Sequence, residues 1–292
     1  MGLQLPKRAS GVARRIAVGT TLGFGLLILG GCSADQRGEW KRGAMPEPAT
    51  KEGPDILALW QWGWVAALVT GVITWGLIFW VIWRYRRRSD DEIPVQTRYN
   101  LPLEIFYTIA PIMMVIVFFY WTVTVQNRVL DDSDTPDHVV KVVGQQWSWT
   151  FNYENADAVE SAYVFTSGTA GQIPTLYLPV NETVKFELSS PDMIHSFWVP
   201  GFLMKMDVVP GRDNKFQLTP DRIGTFKGKC TELCGAYHSR MLFNVEVVSR
   251  ADFDEHLQQL EERGFTSEEP VLGGENARVQ DGIEAESNGE HE

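Results

Sequence analysis

Gly224-Thr-Phe-Lys-Gly-Lys-Cys230-Thr-Glu-Leu-Cys234-Gly-Ala-Tyr-His238-Ser-Arg-Met241-Leu-Phe-Asn-Val-Glu-Val-Val248 sets a cluster of soft donors between two strand-like runs. Cys230, Cys234 and His238 stand four apart, which on a helix would put them on one face. Gly235 and the β-rich flanks, Gly224 to Lys229 and Leu242 to Val248, favour a loop instead. Such a loop can fold back so that both sulfurs face one point. His195, in Ser190-Pro-Asp192-Met-Ile-His195-Ser-Phe-Trp, is expected on a second loop held at a fixed distance by the β framework. Two thiolates, two imidazoles and the thioether of Met241 make a donor set suited to copper. Zinc is the rival, because two Cys and two His also form a tetrahedral set; Met241 favours copper. A Cys230–Cys234 disulfide with Cys32 left free is the other use of three cysteines.

The flanking sequence extends the β reading. His138 to Val143, Trp147 to Tyr153, Thr175 to Leu178, Thr183 to Ser189 and Asn214 to Leu218 are short and rich in β-branched or aromatic residues. Turn residues such as Pro179, Asn181, Pro191 and Pro210-Gly211 separate them. Many short strands at this spacing predict a Greek-key sandwich or barrel over residues 129–250. Ala251 to Gly264 reads as a closing amphipathic helix, and Thr266 to Glu292 as an acidic, disordered tail.

The first half of the chain is apolar. Lys7, Arg8, Arg14 and Arg15 precede the run Ile16 to Leu29, the pattern of a secretory signal over residues 1–31. That run ends Leu29-Gly30-Gly31-Cys32, which resembles a bacterial lipobox with Cys32 as the lipidated residue. Ser33 to Pro54 is polar, with Pro and Gly, and reads as a tether. Ile56 to Trp83 and Ile105 to Val125 each suffice to cross a hydrocarbon core, and together they predict a two-helix transmembrane hairpin over 55–128. Pro111 predicts a local kink in the second span. The cluster Arg84-Tyr85-Arg86-Arg87-Arg88 marks the cytoplasmic side. Both termini then lie outside a bacterial plasma membrane. A net charge of −11 over 292 residues excludes nucleic acid as an expected partner.

Taken together, Gly144-Gln-Gln-Trp147-Ser148-Trp149, the His195 segment, Lys205-Met-Asp207-Val-Val-Pro-Gly211-Arg212 and the Cys230 to Met241 segment resemble subunit II of haem–copper cytochrome c oxidases. The resemblance covers roughly Leu57 to Val248. It implies an extracytoplasmic cupredoxin domain holding the binuclear copper centre called CuA, which accepts electrons from soluble or membrane-bound cytochrome c. The electrons pass to haem in subunit I, where oxygen is reduced and protons are moved. Matched by position, Cys230 and Cys234 bridge the coppers, His195 and His238 bind one each, and Met241 and the Glu232 carbonyl are weak ligands. The Glu232 carboxylate would reach a magnesium ion shared with subunit I. Trp147 matches the electron-entry residue and Glu104 the mouth of a proton route. Asp192 could meet a basic cytochrome patch, and Asp207 and Arg212 match a stretch near subunit I. Ser148 departs from the family, which has an aromatic residue there. A quinol oxidase subunit would lack the copper donors. A copper chaperone would carry one anchor and a more distant His.

Overall fold

The computed structural model describes residues 33–89, 91–169 and 171–272. The segment read as a signal, Cys32 and the acidic residues after 272 lie outside the described residues. The chain divides into two units, Met1–Met45 and Pro46–Glu292. In the first, helix α1 (Ala34–Lys41) opens on a capping box: the Ser33 hydroxyl accepts from the Gln36 backbone, and the Gln36 side chain accepts from the Ser33 backbone. The stretch read as a tether therefore begins as a helix, because reciprocal capping satisfies two otherwise open backbone donors.

The rest of that stretch is also structured, within the second unit. Ala49 and Thr50 are fully buried. The Ala49 N–H donates to the Gly201 carbonyl at 2.9 Å, the Lys51 N–H donates to the Thr219 carbonyl at 3.0 Å, and Thr50 bridges Pro220. The Thr219 N–H donates to the Glu52 carboxylate at 3.2 Å. Residues 49–52 form a strap on the β domain that leads directly into the first long helix.

That helix, α2, spans Gly53–Arg84 and starts with Pro54, whose missing N–H costs nothing in a first turn. Helix α3 spans Leu101–Val129 and continues through Pro111. Both are long and apolar enough to cross a membrane. Arg128 meets Asp55 at 3.3 Å, joining the two helices at the end next to the β domain.

Among the described residues eleven strands follow: β1 (His138–Gln145), β2 (Ser148–Glu154), β3 (Tyr163–Ser167), β4 (Thr175–Pro179), β5 (Val184–Ser189), β6 (His195–Val199), β7 (Met204–Val208), β8 (Asn214–Leu218), β9 (Gly224–Cys230), β10 (Leu242–Val248) and β11 (Thr266–Ser267). One sheet has the order β11-β3-β2-β1-β5-β8 and the other β4-β10-β9-β6-β7. β1 pairs with β5, and β10 with β4, in parallel; the remaining pairs are antiparallel. The result is a cupredoxin-like sandwich following two apolar helices. Alternation is clean in β5, where Val184, Phe186 and Leu188 are buried, and in β10, where Phe243, Val245 and Val247 are. The layers meet in an aromatic core. Phe197 stacks on Phe243 at 4.8 Å, Phe186 stacks on Phe216 at 5.0 Å, and Trp149 meets Phe243 edge-on at 5.3 Å. Such pairs add about 0.5–1.5 kcal/mol each beyond burial.

Helix α4 (Arg250–Glu262) buries Phe253, Leu257 and Leu260 on the sandwich. The start of the supposed disordered tail is ordered. Thr266–Ser267 pairs with β3, and the Val271 N–H donates to the buried Asn152 side chain at 2.8 Å.

Candidate metal centre

His195 is the first residue of β6, not a loop residue as its polar, Pro-flanked context suggested. Cys230 is the last residue of β9, directly paired with Phe197 of β6. A rigid ladder thus fixes one imidazole against one sulfur. The Cys230 N–H donates to the Met241 carbonyl at 3.0 Å, and the Thr231 N–H donates to the Ser196 carbonyl at 3.1 Å. Between these anchors the chain reverses at Gly235, whose φ of +118° suits glycine. The His238 N–H donates to the Gly235 carbonyl at 3.2 Å, closing a short turn that presents His238 and Met241.

The donors converge. Cys230 Sγ lies 3.8 Å from Cys234 Sγ and 3.9 Å from His195 Nδ1. Cys234 Sγ lies 3.5 Å from His238 Nδ1 and 3.8 Å from Met241 Sδ. Cys230 Sγ also faces the Glu232 carbonyl oxygen at 3.3 Å. Each sulfur therefore has its own imidazole and its own weak donor. Both cysteines are free, and their separation is far beyond the roughly 2.05 Å of a disulfide. His195, Cys234 and Met241 are fully buried and Cys230 nearly so, whereas His238 is half-buried. Among the described residues, His195, Cys230 and Cys234 bring one ligand atom each to within 4.8 Å of one another, close enough to share an ion. A dry cluster of thiolate, imidazole and thioether donors fits a soft transition metal and does not fit a hard one.

The electrostatics suit a cation. The hydrogen bond from Cys234 holds the Cys230 thiol well below its ordinary value, whereas donating that bond, together with burial, pushes Cys234 up. Two adjacent thiolates repel, so without a positive charge between them only one ionises. Burial alone would lower His195, but hydrogen bonds with Cys230 and Asp192 outweigh it and raise it.

Trp147 lies in the turn between β1 and β2, one residue ahead of the predicted strand's true start. Its indole N–H donates to the Cys234 carbonyl at 3.1 Å, and the Gln146 amide donates to the same oxygen at 2.8 Å. Tyr237 packs edge-on against the indole at 4.9 Å. Nothing in the sequence pattern singled out Tyr237. Ser148 is buried, and its hydroxyl has no partner among the described residues. Asp192 does not present a free carboxylate to solvent: its side chain is only 14% exposed and accepts from His195 and Gln146. One carboxylate oxygen of Asp207 is buried without a partner among the described residues, and Arg212 is exposed in the turn after β7. The Glu232 side chain is half-buried beside the cluster. Glu104 is remote. It caps α3, its carboxylate accepting from the Asn100 N–H at 2.9 Å. At 1.5 Å per residue it stands about 38 Å along the helix from Val129.

The family model described as cytochrome c oxidase subunit II, periplasmic domain, matches residues 138–248. The "Probable cytochrome c oxidase subunit 2" of Streptomyces avermitilis is 45% identical, over 88% of this chain and 90% of its own length. The "Cytochrome c oxidase subunit 2" of Mycobacterium bovis is 32% identical, over 87% of this chain and 85% of its own. Among solved structures, the periplasmic domain of subunit II of cytochrome oxidase (CoxB) of Bradyrhizobium japonicum is 27% identical with a TM-score of 0.40, covering 44% of this chain and 97% of that one. With two membrane-length helices, the sandwich and high-coverage relatives in agreement, the chain belongs to the cytochrome c oxidase subunit II family and is a subunit of that oxidase.

Proposed function

We propose that this subunit takes single electrons from cytochrome c at a binuclear CuA centre and passes them to haem in subunit I, where oxygen is reduced to water and protons cross the membrane. The observation that carries the reading is the pairing of donors: two unbonded sulfurs 3.8 Å apart, each with a separate imidazole. One metal ion needs only one such set; two sulfurs shared between two sets suit a pair. Cys230, Cys234, His195 and His238 would hold the coppers, and Met241 and the Glu232 carbonyl would be the weaker donors. A paired copper centre supplies one-electron storage with little structural change. The chain's part is to hold these donors still and dry, which the β6–β9 ladder and their burial favour.

Trp147 is the entry point in this reading, supported by its direct hydrogen bond to the carbonyl of a sulfur donor. The Glu232 carboxylate would hold magnesium with subunit I, since a hard cation prefers oxygen. Glu104, at the far end of α3, would open the proton route, and its hydrogen bond to the helix N-terminus keeps it at that border. The hairpin would sit in a bacterial plasma membrane with the sandwich and both chain ends outside, Arg84 to Arg88 on the cytoplasmic side, and a lipid anchor at Cys32. Other oxidase subunits complete the assembly.

Metal analysis and electron paramagnetic resonance of the purified oxidase carrying Cys230→Ser test the centre. A hydroxyl cannot replace a bridging thiolate for a soft metal. The expected result is loss of the paired-copper signal and of oxygen consumption driven by cytochrome c. An unchanged signal with normal turnover would sink the proposal.

A further inference from the structure

The geometry points to Asp192 as a positioning residue that locks His195 for the metal and braces the Trp147 turn with the same carboxylate. The inference rests on the copper reading above and goes beyond it, because Asp192 is not in the donor set. One carboxylate oxygen, Oδ1, accepts from His195 Nε2 at 2.9 Å and from the Met193 N–H at 2.6 Å, with the Ser190 hydroxyl at 3.1 Å. The other, Oδ2, accepts from the Gln146 N–H at 2.7 Å. Donors from two stretches of the chain, residues 190–195 and Gln146, thus fix this carboxylate.

His195 is fully buried, and a buried imidazole has two nitrogens to satisfy. In the neutral ring, the form that can bind a metal, Nε2–H donating to Asp192 leaves the lone pair on Nδ1, the nitrogen that faces Cys230 Sγ. Asp192 thereby sets both the tautomer and the ring plane of the ligand, as outer carboxylates do for metal-bound imidazoles. The second imidazole is held differently. His238 sits half-buried on a short turn, with Nδ1 toward Cys234 Sγ and no carboxylate hydrogen bond among the described residues. The two sides of the centre are therefore built with unequal rigidity.

The Oδ2 contact carries the second role. Gln146 and Trp147 both donate to the Cys234 carbonyl, and the Gln146 backbone is tied to Asp192. A single carboxylate so links the β6 ligand to the turn that carries the proposed electron entry. Losing it frees the imidazole and the turn together.

The test uses the purified whole oxidase with Asp192→Ala and Asp192→Asn. Copper retention is followed by the paired-copper resonance during a challenge with EDTA, and steady-state turnover is measured against cytochrome c concentration. Loss of an outer-shell partner lowers metal affinity by roughly 10–100-fold, so Asp192→Ala is expected to lose the signal at a correspondingly lower chelator concentration and to show an altered resonance before the challenge. Asp192→Asn, whose amide oxygen still accepts from Nε2, is expected to recover most of the retention. Thermal unfolding of each variant identifies any that fails to fold, and the Asn variant then carries the comparison. Wild-type retention and resonance in Asp192→Ala, with only a raised KM for cytochrome c, would overturn the inference in favour of a docking role. Equal loss in the Ala and Asn variants would overturn it too. Absence of the resonance from the wild-type oxidase would instead sink the copper reading itself.

Discussion

His256 predicts an acid-sensitive step in stability that a single substitution removes. It projects from α4 onto the sandwich, stacked on Tyr177 of β4 at 3.7 Å with a 17° tilt and edge-on to Tyr153 of β2 at 6.5 Å. Its Nε2 is buried without a hydrogen-bond partner among the described residues. Burial first, and the Arg263 charge second, depress its pKa from 6.5 to about 4. The folded state therefore resists protonation while the unfolded chain accepts it. The histidine adds no penalty above pH 6.5, destabilises progressively as pH falls from 6.5 toward 4, and adds nothing further below. At pH 5 the difference in proton binding corresponds to about 2 kcal/mol. The part of the ring that still meets water reduces this to about 1 kcal/mol.

His256→Phe keeps an aromatic face against Tyr177 and removes the titration. Urea unfolding of the full chain in detergent, followed by near-ultraviolet circular dichroism at pH 7 and pH 5, measures the change in each protein. All other titrating groups are common to both, so the difference of differences isolates His256. The wild type should lose about 1 kcal/mol more than the variant between the two pH values. Identical pH dependence in the two proteins would refute the claim that His256 is held neutral.

Two further substitutions probe the core and the proposed entry point. A Cβ at Gly228 of β9 would overlap the fully buried Phe243 ring, so Gly228→Ala should cost about 3 kcal/mol in the same unfolding assay, as overpacking does; full stability would show that the ring can move aside. Trp147→Leu should leave the paired-copper resonance in place but slow single-turnover reduction by cytochrome c on the order of 100-fold, the effect of losing a well-placed contact; an unchanged rate under stopped flow would move the entry point elsewhere.

The elements that were legible in the sequence are those whose signal is local. β5 and β10 alternate apolar and polar residues, and the hairpin helices are long and uncharged, so periodicity alone finds them. β6 escaped because His195-Ser-Phe-Trp-Val does not alternate, and β7 because Met-Lys-Met-Asp-Val, though it alternates, is only five residues long and sits between prolines and turns. β11 is two residues long and exists only through its pairing with β3. The Ala49–Glu52 strap likewise owes its order to partners at Gly201 and Thr219, distant in sequence. The donor residues were legible because metal chemistry restricts residue type and spacing, whereas the partners of His195 were not. Asp192, three positions earlier, looks like any surface acid until the turn at Gln146 is folded against it.

The strap has a mechanical consequence. The sandwich is stitched to the start of α2 at residues 49–52, and its own first strand follows soon after α3. Two attachment points resist the swivelling that a lone flexible leash would permit. Because tunnelling weakens steeply with separation, such bracing would, on the proposed copper reading, let the sandwich keep one steady gap to its acceptor instead of sampling many.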